Sequence, residues 1–357
     1  MAAGGILGVG GVALAFTIVS CLPSPPEPTG ALGAVRLSEP TALCVGPRSR
    51  DCRRVPAIRE ALAGPVTIVQ AAAAPGGQQG AAVLTLRSPE GLVFDAKWRS
   101  LGGTSRFNDP LAELAADRLQ ALVLPPRDIV IPPAAPQCFE HAEYERRLGH
   151  ERDPFPESDC VLGFLSLWLP DALGMGEARH DHVVPGQAGD PDPGLYDAER
   201  FEAEPAYARN LANLNLVAFL LAHGDAHAGQ FVVYEDPAHV FLVDNSVAFG
   251  LDHRSSMEGR QDLARMVVPA IPEDVAARLR ALERADVDSL RVATELRREG
   301  RRLVAAEPGP AFGEDDEEVR SQGDRVQLGL TTEQVEGVWQ RVLRVRGFLD
   351  DGALGVF

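Results

Sequence analysis

Apolar and polar positions follow regular periods along most of the chain after residue 54. "VPAIREALA" (55–63) has helical spacing and predicts a short helix. "PVTIVQAAA", "AAVLTLRS" and "GLVFDAKW" read as three strands, separated by "APGGQQG" and "SPEG". "DPLAELAADRLQALVL" returns to helical spacing. Leu111, Leu114, Leu119 and Leu122 form its apolar stripe, Asp109 can cap it, and Pro110 suits its first turn. "DIVIPP" predicts a strand stopped by prolines, and "CVLGFLSLWL" predicts another. Residues 174–200 are rich in Gly, Asp and Pro and read as a loop or insertion. "EPAYARNLANLNLVAFLLAHG" reads as a buried helix ending at Gly224, followed by a hairpin of "QFVVY" and "VFLVD". Residues 259–304 and 331–349 read as mainly helical, with the acidic loop "EPGPAFGEDDEEV" between them. The order is strands, one helix, more strands, then a helical half with one embedded hairpin. That predicts an α+β fold: a small antiparallel sheet lobe (55–165) before a larger, mainly helical lobe (166–350).

The first 21 residues carry no charged side chain, and the apolar run Ile6–Val19 has the length of a signal-peptide core. "IVSC" resembles a bacterial lipoprotein signal with Cys21 as the lipidated residue. "LPSPPEPTG" then reads as a Pro-rich tether within a segment, 22–54, that also holds Cys44 and Cys52. The missing Lys or Arg near the start leaves an uncleaved membrane anchor open. Without a signal, the chain would be cytoplasmic. The remaining four cysteines suggest two disulfides, with Cys44–Cys52 and Cys138–Cys160 the pairs nearest in sequence.

Charge narrows the partners. A formal net charge of -17 argues against nucleic acid. Of the 34 basic residues, Lys97 is the sole lysine. A chain that uses Arg almost everywhere has a reason to keep one compact ammonium.

Two aspartates stand at the ends of the predicted hairpin, Asp225 in "HGDAHAGQFVV" and Asp244 in "FLVDNSVAFG". Phosphoryl transfer needs such a pair: one carboxylate orients the attacking hydroxyl, and the other holds a metal on the nucleotide phosphates. The first segment resembles the catalytic loop of aminoglycoside and choline phosphotransferases. The second resembles the metal-binding segment of type II phosphatidylinositol kinases and of the secretory-pathway (Golgi casein kinase) family. Both belong to the protein-kinase-like superfamily.

The resemblance implies a bilobal kinase-like fold, ATP as co-substrate, Mg²⁺ or Mn²⁺, and a hydroxyl acceptor on a protein, sugar or lipid. It implies Asp225 as catalytic base, Asp244 as principal metal ligand, and Gln230 and Asn245 as auxiliary ligands. Lys97 would hold the phosphates and Glu113 would hold Lys97, with Asp117 as a rival partner. Gly76, Gly77 and Gly80 would form the loop over the nucleotide. Gln230 departs from the Asn of the kinase loop, and its extra methylene shifts the amide by about 1.5 Å.

Two alternatives stay open. One is a pseudokinase, a tethered binding protein that keeps the fold. The other is a metallohydrolase built from His180, His182, His223, Asp225 and His227.

Overall fold

The computed structural model describes residues 42–45, 51–74, 81–102, 109–149, 152–174, 196–224, 230–234, 236–250, 265–313 and 316–357. All of them fall in one compact unit, Glu39–Phe357. Strand β1 (Ala42–Val45) pairs antiparallel with β2 (Asp51–Arg54), which places Cys44 opposite Cys52. The two are joined by a disulfide. Helix α1 (Val55–Ala63) follows and buries Val55, Ile58 and Leu62.

The three strands expected next form as β3 (Thr67–Ala73), β4 (Ala82–Arg87) and β5 (Val93–Ser100). With β6 (Ala134–Glu140) and β7 (Cys160–Leu167) they build one antiparallel sheet in the order β3-β4-β5-β7-β6. Strand β5 alternates as a two-faced strand must. Phe94, Ala96 and Trp98 enter an apolar cluster with Ile58 and Leu62, while Asp95, Lys97 and Arg99 lie on the other face. Strand β7 is buried along its whole length, which explains its continuous apolar run. A Cβ at Gly163 would stand 2.2 Å from the Arg99 carbonyl oxygen and 2.6 Å from the Trp98 ring, so only glycine fits there. Cys138 on β6 and Cys160 on β7 are bridged, with Cα atoms 5.4 Å apart.

Helix α2 (Pro110–Val123) lies between β5 and β6 in sequence. Asp109 accepts the Leu111 amide proton and Pro110 opens the first turn, the start signals expected of this segment. Helix α3 (His141–Leu148) packs Tyr144 near Trp98. Beyond β8 (Leu173–Gly174), helices α4 (Ala198–Ala203) and α5 (Pro205–Leu221) begin the second half. Helix α5 is buried nearly all round, as its composition requires. Its Leu211, Leu214 and Val217 share an apolar core with Ala115 and Leu119 of α2. The hairpin is β9 (Phe231–Tyr234) and β10 (Asp236–Leu242). Strand β11 (Ala270–Ile271) and helices α6 (Glu273–Ala281) and α7 (Arg284–Asp288) follow.

Two segments differ from the sequence reading. Residues 129–133 are not a strand. The buried Gln120 side chain accepts from the amides of Val130 and Ile131 and donates to the Ile131 carbonyl, while the Val130 carbonyl accepts from Leu242. Their backbone polarity is met by a side chain and a neighbouring strand, and Pro132 and Pro133 have no N–H to offer a ladder. The strand starts one residue later, at Ala134, and contains Cys138.

The stretch before residue 304 is only partly helical. It leads into an antiparallel sheet of β12 (Thr294–Glu299), β13 (Arg302–Ala306), β14 (Val319–Gln322) and β15 (Arg325–Leu328), in the order β13-β12-β15-β14. Arg, Glu, Leu and Ala are good helix formers, and that preference misled the reading. Tertiary packing decides instead: Leu296, Leu303, Val326 and Leu328 cluster with Leu111 and Leu114 of α2 and with Leu162 and Phe164 of β7. Helix α8 (Thr332–Asp350), with a complete capping box from Thr331 and Gln334, and the short strand β16 (Gly355–Val356) end the chain. The architecture is α+β, a small antiparallel sheet with helices, which is the layout the resemblance implies. Its second half is less purely helical than expected.

Candidate active site

Three elements converge on one lysine. Lys97 projects from β5 between Val83 of β4 and Ser166 of β7, on the face away from Trp98. Its Nζ lies 2.9 Å from Asp244 Oδ1 and 3.5 Å from Glu113 Oε1. Glu113 comes from the first turn of α2 and is buried. Asp244 follows β10 and opens the 3-10 turn Asn245–Val247.

Asp244 has left-handed backbone angles, φ 58 and ψ 54. That conformation is unfavourable for most side chains and tolerated by Asp, so an aspartate here is both feasible and informative. The Ser246 hydroxyl donates to its Oδ1 at 2.8 Å, and its side chain keeps 36% of its surface exposed. Asn245 is fully buried and donates from Nδ2 to Glu113 Oε2 at 3.2 Å. Its Oδ1 has no hydrogen-bond partner among the described residues.

The electrostatics follow from this packing. Burial opposes the Lys97 charge, but the Glu113 and Asp244 carboxylates outweigh it and hold the ammonium above its ordinary range. Burial works against Asp244 as well, yet Lys97 and the Ser246 hydroxyl keep its carboxyl below the usual range. Glu113 is pushed up by burial despite Lys97. At the cap of α2, burial and the nearby Glu318 carboxylate raise Asp109 to about 7. Arg99, two residues along β5, is 4% exposed, and burial lowers it while Asp244, Glu113 and Asp109 act in the opposite sense.

Backbone hydrogen bonds fix the Asp244 turn to its surroundings. Asp109 N donates to Ser246 O, and Phe249 N to Leu221 O. Gly224 N donates to Val247 O and Val243 N to Gln230 O. The residues flanking segment 225–229 on both sides are therefore bonded to residues flanking Asp244. A Cβ at Gly224 would stand 3.1 Å from the Val247 carbonyl oxygen, a tight fit for any other residue.

The structure thus brings together Lys97, Glu113, Asp244 and Asn245 among the residues singled out from sequence. It also settles the rival partner: Asp117 is taken by Arg59, at 2.6 and 2.9 Å, by Gln120 and by the Ala134 amide. Asn245, expected as an auxiliary ligand, has its amide nitrogen on Glu113. His223 is buried at the end of the α5 region. Asp225, His227, His180, His182, Gly76, Gly77, Gly80 and Cys21 lie outside the described residues.

Two contributors escaped the sequence reading. Arg99 shares the face of Lys97 at strand period two, a signal the alternation contained. Ser246 had no such signal, because its contact depends on the left-handed turn. Among the described residues, no group of three or more His, Cys, Asp or Glu is placed to hold a metal ion. No described helix is long and apolar enough to cross a membrane.

No protein-family model matches this chain, and no curated protein matches it. Solved structures do. Hydra Fam20 with sugar aligns at 14% identity and a TM-score of 0.41, covering 84% of this chain and 88% of that one. The Golgi casein kinase aligns at 10% identity and a TM-score of 0.46, covering 84% and 74%.

Proposed function

We propose that this chain is a kinase-like phosphotransferase that moves the γ-phosphate of ATP to a hydroxyl acceptor. The observation that carries the reading is the Lys97–Glu113–Asp244 cluster. The sole lysine of the chain stands between a carboxylate from a helix and a partly exposed carboxylate from a turn. A phosphoryl-transfer site needs a fixed cation for the phosphates, a group to hold that cation, and an acid open to solvent.

In this reading Lys97 binds nucleotide phosphates and Glu113 positions it. The Asn245 amide braces Glu113, a role its geometry suits better than the ligand role first expected. Asp225 accepts the proton of the acceptor hydroxyl. A divalent cation, Mg²⁺ or Mn²⁺, would be held by the Asp244 carboxylate and the Gln230 amide oxygen, both oxygen donors of the kind such ions take. Such ions take one or two carboxylates and draw their other ligands from phosphate and water. When bound, it would neutralise charge on the nucleotide phosphates. Gly76, Gly77 and Gly80 supply the loop over them.

The two disulfides support an oxidising compartment. With the segment ending at Cys21, that favours an exported, membrane-tethered protein. One departure favours a second reading. Gln230 replaces the shorter amide, and Lys97 sits closer to Asp244 than to Glu113. A nucleotide-binding lipoprotein without turnover would accommodate both.

Thermal-shift measurements with ATP and Mg²⁺ or Mn²⁺, followed by phosphate-release assays, separate the readings. Stabilisation with turnover supports the kinase, and stabilisation without turnover supports the binding protein. No stabilisation, with hydrolysis lost in His180→Ala and His182→Ala, supports the metallohydrolase.

A further inference from the structure

Strand β14 carries a guanidinium that no described residue hydrogen-bonds. Arg320 is 4% exposed, and its Nε, Nη1 and Nη2 have no hydrogen-bond partner among the described residues. Burying a guanidinium in this state is strongly unfavourable, because it presents five N–H donors and cannot give up its proton. The neighbours show why no described group serves it. Arg320 stands opposite Gln327 of β15, which stands opposite Glu295 of β12. Glu295 is the buried carboxylate on that face, and it is already used by Arg325, Gln327 and the Gly309 amide. Gln327 is used by Glu295, Pro310 and Phe312.

The surrounding charges make an anion the natural occupant. Burial lowers Arg320 below its ordinary range, and the Arg291 guanidinium lowers it further. Arg291 belongs to the 3-10 turn Ser289–Val292, whose backbone presses against Gly329 just after β15. Asp316 is the acid that offsets these two cations, and its carboxylate accepts the Thr332 amide at the start of α8. The positive end of that 19-residue helix adds to the field near Asp316. Among the described residues, Arg291 and Asp316 are the charges that act on Arg320, and neither hydrogen-bonds its guanidinium.

We infer that Arg320 and Arg291 form an oxyanion site for a phosphate group, separate from the Lys97 cluster. A phosphate offers several acceptors to match the fork of Arg320, and the guanidinium of Arg291 adds to the positive field it would enter. The Asp316 carboxylate already stands nearby and makes no hydrogen bond to the Arg320 guanidinium. The source is free phosphate or a phosphate ester, and the two share this chemistry.

The test uses the full chain, with inorganic phosphate and phosphoserine as probes against chloride at equal ionic strength. Thermal unfolding is followed for the parent, Arg320→Leu, Arg320→Lys, Arg291→Gln and Lys97→Met. At a hundredfold excess over Kd the parent should rise by on the order of 3 to 5 °C. The rise should persist in Lys97→Met, shrink in Arg291→Gln and Arg320→Lys, and vanish in Arg320→Leu. Should Arg320→Leu fail to fold, the Arg320→Lys and Arg291→Gln proteins decide by the same comparison. A larger rise with phosphoserine identifies an ester as the preferred source, and equal rises identify the phosphate group alone. No phosphate-specific rise in the parent overturns the inference. So does a rise lost in Lys97→Met but kept in Arg320→Leu.

Discussion

Among the described residues, the two larger sheets hold Lys97 and Arg320 on their faces, and the two cations are treated in opposite ways. Lys97, on the five-stranded sheet, is met by two carboxylates from separate elements. Arg320, on the four-stranded sheet, is buried, and no described group hydrogen-bonds its guanidinium. The local strand geometry is the same, so the difference lies in what the fold delivers to the face. Around Lys97, α2 and the turn after β10 bring acid. Around Arg320 the buried acid two strands away on the same face, Glu295, is already committed. A paired cation can exchange one partner for a phosphate, whereas an unpaired one requires an anion from outside.

The largest effect should come from the acid of the first cluster. Asp244→Ala should remove most of the metal-dependent nucleotide affinity in calorimetric titration, because it removes the charge that holds the cation. Asp225→Ala should leave that binding nearly intact and remove turnover, since a base acts on the acceptor hydroxyl. Lys97→Arg comes next. A planar fork cannot replace a point charge between Glu113 and Asp244, so kcat should fall by about 100-fold or more. Unchanged turnover in Lys97→Arg would sink the assignment of Lys97.

The second sheet predicts the reverse sign. Without an added anion, Arg320→Leu should unfold at the same or a higher temperature than the parent, by up to about 4 kcal/mol in stability. Lys97→Met, which strands Glu113 and Asp244, should cost up to about 3 kcal/mol. If both variants are destabilised alike in urea titrations, the contrast between the two cations is wrong.

A smaller effect sits at the cap of α2. Asp109 is raised from 3.8 to about 7 by burial and Glu318. A carboxyl whose folded pKa lies above its unfolded one binds its proton more tightly in the fold. Its contribution is therefore whole below about pH 4 and is lost as pH rises through about 7. Stability of the parent should fall across that window. Asp109→Asn keeps the capping oxygen, so its stability curve should be flatter there. A parallel curve for the two proteins would contradict the buried-carboxyl account. Smallest of all, Gln230→Asn should preserve or raise kcat by restoring the shorter amide.

Legibility in the sequence tracked how local the causes were. Strands β3, β4 and β5 and helix α2 were readable because alternation, a capping Asp and an early Pro act within a few residues. Lys97 was readable because the chain otherwise uses Arg, and Glu113 because it sits in the first turn of the next helix. The paired cysteines were readable from number and proximity. The four-stranded sheet was not, because "TELRREGRRLVAA" prefers a helix until α2 and β7 offer their apolar side chains. Nor was the end of the "DIVIPP" strand reading, because one buried glutamine far along α2 takes the amides a strand would need. The Asp244–Lys97 contact spans 147 positions and depends on a left-handed turn, so no local pattern could announce it.

The central claim is that Lys97 and Asp244 serve one nucleotide together, and the most direct measurement is a double-mutant cycle on ATP affinity in Mg²⁺. Calorimetric titration of the parent, Lys97→Met, Asp244→Ala and the double variant gives the coupling between the two side chains. The account predicts that the parent binds and that each single variant loses most of that affinity. The double variant should then be little worse than either alone, a coupling of at least about 1 kcal/mol. Losses that simply add, or a parent that does not bind ATP with either metal, would contradict it.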